Sequence, residues 1–131
     1  MLLWLLLGSA LYLLSCYVPA LMLISHISIG RFLASRDEEP LKNAVHGRAE
    51  RAARNFRENY PVFMGLGILA LVVEGANMPL ATFGAAVFVL VRIPYMPMYM
   101  AAVPVWRSMV FMVGWTGMVL MGVALVWPGP A

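Results

Sequence analysis

Four polar side chains in the middle of the sequence have the spacing of one helix face. They stand at positions i, i+3, i+4 and i+7, and they are Arg51, Arg54, Asn55 and Glu58. Residues at this spacing lie side by side on an α-helix. Guanidinium groups bind carboxylates through paired hydrogen bonds and stay charged at physiological pH, and a glutamate can receive an ammonium group. The pattern therefore predicts a binding site for a ligand that carries carboxylates and an amine.

Two further arginines stand at the ends of apolar runs. Arg92 follows the apolar run 83–91, so we expect it to lie partly within a membrane and to face the interior of a helix bundle, with Glu58 as a candidate partner. Arg107 is followed by Ser108. An arginine beside a hydroxyl can stabilise a thiolate, because a nearby cation lowers the pKa of a thiol from about 8.5 by about one to two units. A purely structural lattice of salt bridges is the alternative for the same charges.

The elements that must position these side chains are apolar helices. The chain has 131 residues, of which 63% are hydrophobic and 11% charged, with a mean hydropathy of +0.84. A soluble domain carries about 25% charged residues. Four apolar blocks lie at about 2–29, 61–73, 79–99 and 103–127, and about 20 residues cross the hydrocarbon layer. The sequence predicts a single domain, residues 1–131, that is an all-α, up-down bundle of four transmembrane helices.

The second block is too short to cross a membrane alone. The preceding segment, 41–60, has no helix breaker and is therefore predicted to be the polar first half of the same long helix. In the first block Pro19 is expected to kink the helix, which neighbouring helices can accommodate.

Basic residues mark one side of the predicted membrane. Seven of them lie between the first two spans or on the polar start of the second helix: Arg31, Arg36, Lys42, Arg48, Arg51, Arg54 and Arg57. The other two, Arg92 and Arg107, lie near the junction of spans three and four. The positive-inside rule places both loops in the cytoplasm and both termini outside it. The net charge of +3 is explained by this topology, so we expect no nucleic-acid partner.

Metal and disulfide chemistry are not expected. His26 and His46 are far apart and lack Cys or carboxylate neighbours at ligand spacing. The single cysteine, Cys16, excludes an internal disulfide.

Three motifs resemble the MAPEG family, the membrane-associated proteins in eicosanoid and glutathione metabolism. The run from Arg51 to Phe63 is similar to the second-helix motif, especially that of the short bacterial members. The stretch from Arg92 to Tyr99, and Pro104-Val-Trp-Arg107-Ser108, are similar to the third helix and the start of the fourth. The resemblance implies a homotrimer in a bacterial inner membrane, surrounded by membrane lipids, with a site near the cytoplasmic face for glutathione or another low-molecular-weight thiol between subunits.

The resemblance also implies roles for particular residues. The thiol carrier would be bound by Arg31, Arg51, Arg54, Asn55, Glu58, Arg92, Tyr95 and Tyr99. Arg107 would stabilise the thiolate, with Ser108 beside it. A lipophilic second substrate would enter from the bilayer.

The residues, together with the resemblance, lead to two main candidate functions, and a transporter is less favoured because the sequence shows no internal inverted repeat. The first is a glutathione- or thiol-dependent transferase or peroxidase acting on lipophilic electrophiles. The alternative is a non-catalytic scaffold or lipid-binding subunit. The alternative is favoured by Phe56, where the family's eukaryotic enzymes commonly have an acidic residue, and by Phe111, where some catalytic members have a tyrosine. Tyr95 stands where some members have a histidine.

Overall fold

Four long helices and one short helical segment are formed by the residues that the structure describes. The computed structural model describes residues 1–25, 27, 29–33 and 43–127, without the side chain of Arg31. Arg36, Lys42 and His26, discussed above, lie outside the described residues. The helices are α1 (Leu2–Ile24), α2 (Ile29–Leu33), α3 (Ala44–Val72), α4 (Met78–Met100) and α5 (Pro104–Val126).

The predicted class, an all-helical four-helix membrane bundle, is confirmed. Three helices, α1, α4 and α5, are each 23 residues long and apolar enough to cross a membrane. The fourth, α3, has 29 residues and is therefore about 44 Å long at about 1.5 Å per residue. It is the long helix with a polar first half that the sequence predicts.

The predicted end of the first span was wrong. We expected the span to continue to residue 29, but α1 ends at Ile24 and the separate α2 begins at Ile29. At this end the hydroxyl of Ser25 donates a hydrogen bond of 2.7 Å to the carbonyl oxygen of Met22. Serine side chains that bond nearby backbone groups compete with helix hydrogen bonds, which favours a helix end here.

The centre of the bundle is built from aromatic rings and closely packed glycines. Phe63 of α3 and Phe88 of α4 are fully buried, and their rings stack with centroids 4.5 Å apart. Between α4 and α5, Gly84 and Gly117 bring the two backbones so close that neither position has room for a Cβ atom. Small residues permit this approach in lipid, where van der Waals packing holds helices together.

Two hydrogen bonds show which helix ends lie close together. The N–H of Asn77, just before α4, donates to the carbonyl oxygen of Ala124 near the end of α5 at 2.8 Å. At the other end of the bundle, Nε of Arg48 in α3 donates to the carbonyl oxygen of Met100, the last residue of α4, also at 2.8 Å. The polar start of α3 and the turn between α4 and α5 therefore lie at the same end, as the distribution of basic residues requires.

We predict that Arg48→Met lowers the free energy of unfolding by about 1 to 2 kcal/mol, since a charge-assisted hydrogen bond to a helix-end carbonyl is lost. Thermal unfolding of the detergent-purified protein, followed by circular dichroism, measures the effect. Arg57→Met, at an exposed position of the same helix, is the matched control. Equal unfolding temperatures for the two variants would show that the bond to Met100 is not stabilising.

Candidate functional site

A buried arginine joins α4 to the polar face of α3. Arg92 is only 4% exposed, and its Nη1 donates a hydrogen bond of 2.8 Å to Oδ1 of Asn55. An arginine has only donors, so the amide atom that faces it must be the oxygen. The amide group of Asn55 is thereby held in one orientation, with its NH2 group turned away from Arg92.

The expected pairing of Arg92 with Glu58 was wrong. Among the described residues the hydrogen-bond acceptor of Arg92 is Asn55, and Glu58 lies exposed on α3. Three residues along an α-helix correspond to about 300°, so the two side chains diverge by about 60°. Asn55 therefore points towards Arg92 of α4, while Glu58 is turned away from Asn55 by this angle and is exposed.

Four aromatic rings surround the guanidinium group of Arg92. Its Cζ lies 4.9 Å from the ring centroid of Phe88, 5.1 Å from those of Phe56 and Tyr95, and 5.9 Å from that of Phe111. A cation over aromatic faces is stabilised electrostatically, and the effect grows where water is excluded. The rings thus offset part of the cost of burying a charge in the bundle.

Tyrosines connect this arginine to the second one. The rings of Tyr95 and Tyr99 have centroids 5.7 Å apart, and Cζ of Arg107 lies 4.3 Å from the ring centroid of Tyr99. A continuous cluster, the arginine–tyrosine cluster, therefore spans α3, α4 and α5. It consists of Asn55, Arg92, Tyr95, Tyr99 and Arg107.

The other predicted site residues lie outside this cluster in the single chain. Arg51, Arg54 and Glu58 are exposed on α3, next to the half-buried Asn55, and we call these three residues the charged face of α3. Ser108 is also exposed, and its hydroxyl donates to the carbonyl oxygen of Pro104 in its own helix at 2.9 Å. Arg31 lies within α2, and its side chain is outside the described residues.

The phenylalanines that pack around Arg92 were not predicted as site residues. Phe88, Arg92, Tyr95 and Tyr99 stand at i, i+4, i+7 and i+11 on α4, which is one helix face. That spacing could have assigned Phe88 to the site. Phe56 and Phe111 were noted only as departures from a family pattern, and their common contact with Arg92 depends on how the helices pack.

The two arginines of the cluster lie at different depths in the bundle. Arg92 is eight residues before the end of α4, or about 12 Å along the helix axis, whereas Arg107 is in the first turn of α5. Arg92 and Arg107 both lie towards the end of the bundle where α3 begins. Such a bundle, with arginines, an amide and tyrosines between its helices, defines an integral membrane protein with a cluster of polar side chains towards one end of the bundle.

Comparison with known proteins gives the family. The model of the MAPEG family matches residues 1–127 of the chain. The chain therefore belongs to the MAPEG family, as the sequence motifs predicted, and this membership supports a membrane protein of glutathione-related transferase or peroxidase type. No curated protein matches the chain.

Proposed function

We propose that this protein is a membrane-bound, glutathione- or thiol-dependent transferase or peroxidase that acts on lipophilic electrophiles. The observation that carries the proposal is the arginine–tyrosine cluster, which runs without interruption from Asn55 to Arg107 and borders the charged face of α3. Membership of the MAPEG family gives the general class of chemistry.

The charged groups of the site suit a peptide-like thiol such as glutathione. Arg51 and Arg54 offer guanidinium groups to carboxylates, and Glu58 offers a carboxylate to an ammonium group. Because Oδ1 of Asn55 is occupied by Arg92, its NH2 group is available to donate to a carbonyl or carboxylate oxygen. Tyr95, Tyr99 and Arg31 complete the proposed binding set.

Arg107 is the proposed thiolate-stabilising residue. Bound glutathione supplies a thiol, whose thiolate form is the nucleophile. The guanidinium group of Arg107 packs on Tyr99, and this contact restricts its position without neutralising its charge. Its positive charge favours the thiolate, and Ser108 offers a hydroxyl beside it. The lipophilic electrophile reaches this end of the bundle from the bilayer.

The proposed assembly is a homotrimer with the site at the subunit boundary. In a single chain, Arg51, Arg54 and Glu58 are exposed on a helix that continues into the apolar segment after Pro61. Charged groups near hydrocarbon are costly unless they face a protein interior or a polar cavity. Contact with a neighbouring subunit provides such an interior. The proposed location is a bacterial inner membrane, with both termini outside the cytoplasm, because the basic residues favour the cytoplasmic side.

We predict that Arg54→Ala and Glu58→Ala each weaken glutathione binding by about tenfold or more, since each removes one charge-assisted contact to the ligand. Isothermal titration calorimetry of the purified protein in mild detergent measures the affinity. Arg57→Ala removes an exposed arginine of the same helix that is outside the proposed set, and we expect it to bind as the parent does. If the parent protein binds no low-molecular-weight thiol saturably, the proposal is wrong.

A non-catalytic scaffold or lipid-binding subunit is the second candidate. It is favoured by the packing of Phe56 and Phe111 against Arg92, because apolar rings at these positions give the buried charge a structural role. Native mass spectrometry from mild detergent separates the two functions. A thiol adduct supports the enzyme, whereas co-purified lipid or a fixed larger partner, without thiol binding, supports the scaffold.

A further inference from the structure

A side chain of α3 holds the turn between α4 and α5. Nε of Arg48 donates a hydrogen bond of 2.8 Å to the carbonyl oxygen of Met100, the last residue of α4. The carbonyl groups at the end of a helix have no partner within that helix, and here the partner comes from a different helix. The bond therefore connects α3 directly to the turn that leads to Arg107.

The turn itself is short and closely bonded. The N–H groups of Ala101, Ala102 and Val103 donate to carbonyl oxygens in the last turn of α4, at 2.9, 3.2 and 3.2 Å. Ala102 has a φ of 58°, in the left-handed region that residues other than glycine seldom adopt. The next helix, α5, begins at Pro104. Because so few residues separate the helices, a shift of the Met100 carbonyl also moves the start of α5.

The charge of Arg107 is positioned by this same turn. Its backbone N–H donates to the carbonyl oxygen of Val103 at 3.2 Å, and its Cζ lies 4.3 Å from the ring centroid of Tyr99. Tyr99 directly precedes Met100, whose carbonyl accepts the bond from Arg48. The two contacts of Arg107 are therefore made to residues on either side of the point that α3 holds.

We propose that Arg48 is a positioning residue for Arg107 and acts through the Met100 carbonyl and the turn that follows it. This inference rests on the proposed function, in which α3 binds the thiol carrier and Arg107 stabilises the thiolate. The attraction between a guanidinium group and a thiolate weakens as they separate, and a misplacement of about 1 Å can change a rate by about a hundredfold. The bond from α3 keeps the stabilising charge at a constant distance from the helix that binds the carrier.

Two substitutions of equal length test this role in the full-length protein. Methionine and glutamine both match arginine as far as Nε, but only glutamine has an N–H donor there. We expect Arg48→Met to lower kcat at neutral pH by about threefold to tenfold and to raise the pH midpoint of kcat by about half to one unit. The KM for glutathione should change by less than about twofold, since the charged face of α3 is intact. Arg48→Gln should keep the parent's midpoint.

The glutamine variant also distinguishes the hydrogen bond from the charge. If Arg48→Gln raises the midpoint as Arg48→Met does, the charge of Arg48 acts directly on the thiol and the proposal is overturned. Arg57→Met is the control and should leave the midpoint unchanged.

A double variant tests whether Arg48 acts through Arg107. The chain with both Arg48→Met and Arg107→Met should have the same pH midpoint as Arg107→Met alone, because residues that act along one path have non-additive effects. A further rise of the midpoint in the double variant would contradict the proposed path.

Substitutions in the turn test the same path while Arg48 is kept, so the proposal stays testable if Arg48→Met does not fold. Ala102 is exposed, and its left-handed conformation is strongly disfavoured for a β-branched residue. Ala102→Val should therefore raise the pH midpoint of kcat. Ala102→Gly is the matched control and should keep it, because glycine adopts this conformation freely. An unchanged midpoint in Ala102→Val would overturn the proposal.

Hydrogen exchange without glutathione separates this inference from the proposed function. The amides of residues 101–107 should exchange about fivefold or more faster in Arg48→Met than in the parent, and Arg48→Gln should resemble the parent. Faster exchange in a protein that binds no thiol would support the connection through the turn and overturn the proposed function. Unchanged exchange and an unchanged pH midpoint in Arg48→Met, with an active parent, would overturn the role of Arg48 alone.

Discussion

Alanine in place of Gly117 is expected to lower the free energy of unfolding by about 3 kcal/mol. A Cβ atom at this position would lie 2.7 Å from the carbonyl oxygen of Gly84 and 3.0 Å from the backbone nitrogen of Phe88. Both are backbone atoms of α4, so no side-chain rotation can relieve the clash. The two helices must separate, and the packing contacts between them are lost along part of their length. Chemical or thermal unfolding in detergent measures the loss.

Gly65→Ala is the matched control for this substitution. Gly65 also lies inside a long helix, but a Cβ atom there would meet no neighbouring atom within 4 Å. Alanine is favoured over glycine in a helix by about 1 kcal/mol, so this variant should be as stable as the parent or slightly more stable. Similar losses of stability in both variants would show that the contact between Gly84 and Gly117 does not hold α4 and α5 together.

Arg107→Met is expected to reduce turnover of a lipophilic electrophile at neutral pH by about tenfold to a hundredfold. This follows from the proposed function, in which Arg107 lowers the pKa of the bound thiol by about one to two units. Without this charge the thiol pKa rises, the thiolate fraction at neutral pH falls, and activity should return as the pH is raised. The pH dependence of kcat, measured at saturating glutathione in the parent and the variant, reports this shift.

Two further variants separate charge from packing in this prediction. Arg107→Lys keeps the positive charge and should retain more activity than Arg107→Met. Arg57→Met, which removes an exposed arginine outside the site, should leave the pH dependence unchanged. The proposed role of Arg107 is wrong if its methionine variant loses activity by the same factor at every pH, because such a loss indicates altered packing and not a change in thiol ionisation.

The helical architecture could be predicted from the sequence because hydrophobic blocks and basic residues can be recognised from short stretches of the chain. Block length predicted the spans, and the polar segment 41–60 predicted the extended first half of α3. The end of α1 was misplaced because the residues between Ile24 and Ile29 include no acidic residue, lysine, arginine, proline or glycine, so the sequence carries no strong signal for a helix end there. The hydrogen bond of Ser25 to Met22, which accompanies this end, is a single local interaction that hydropathy does not report.

The sequence predicted which site residues share a helix face. It did not predict how each helix is rotated within the bundle. A helical face defines the angles between Arg54, Asn55 and Glu58 around their own axis, but it does not define which of them points at α4. The packing of α3 selects Asn55 for Arg92 and leaves Glu58 exposed. The contact of Phe111 with Arg92 likewise joins different helices, so spacing within one helix carries no signal for it.

The ionisation of protein-bound glutathione tests the proposed function most directly. Thiolate absorbs in the ultraviolet more strongly than thiol, so a pH titration of the complex, corrected for free ligand, gives the pKa of the bound thiol. If Arg107 and its neighbouring tyrosines form a thiol site, bound glutathione should ionise about one to two pH units below the free tripeptide. Ionisation of the bound thiol at the same pH as in solution would contradict this function.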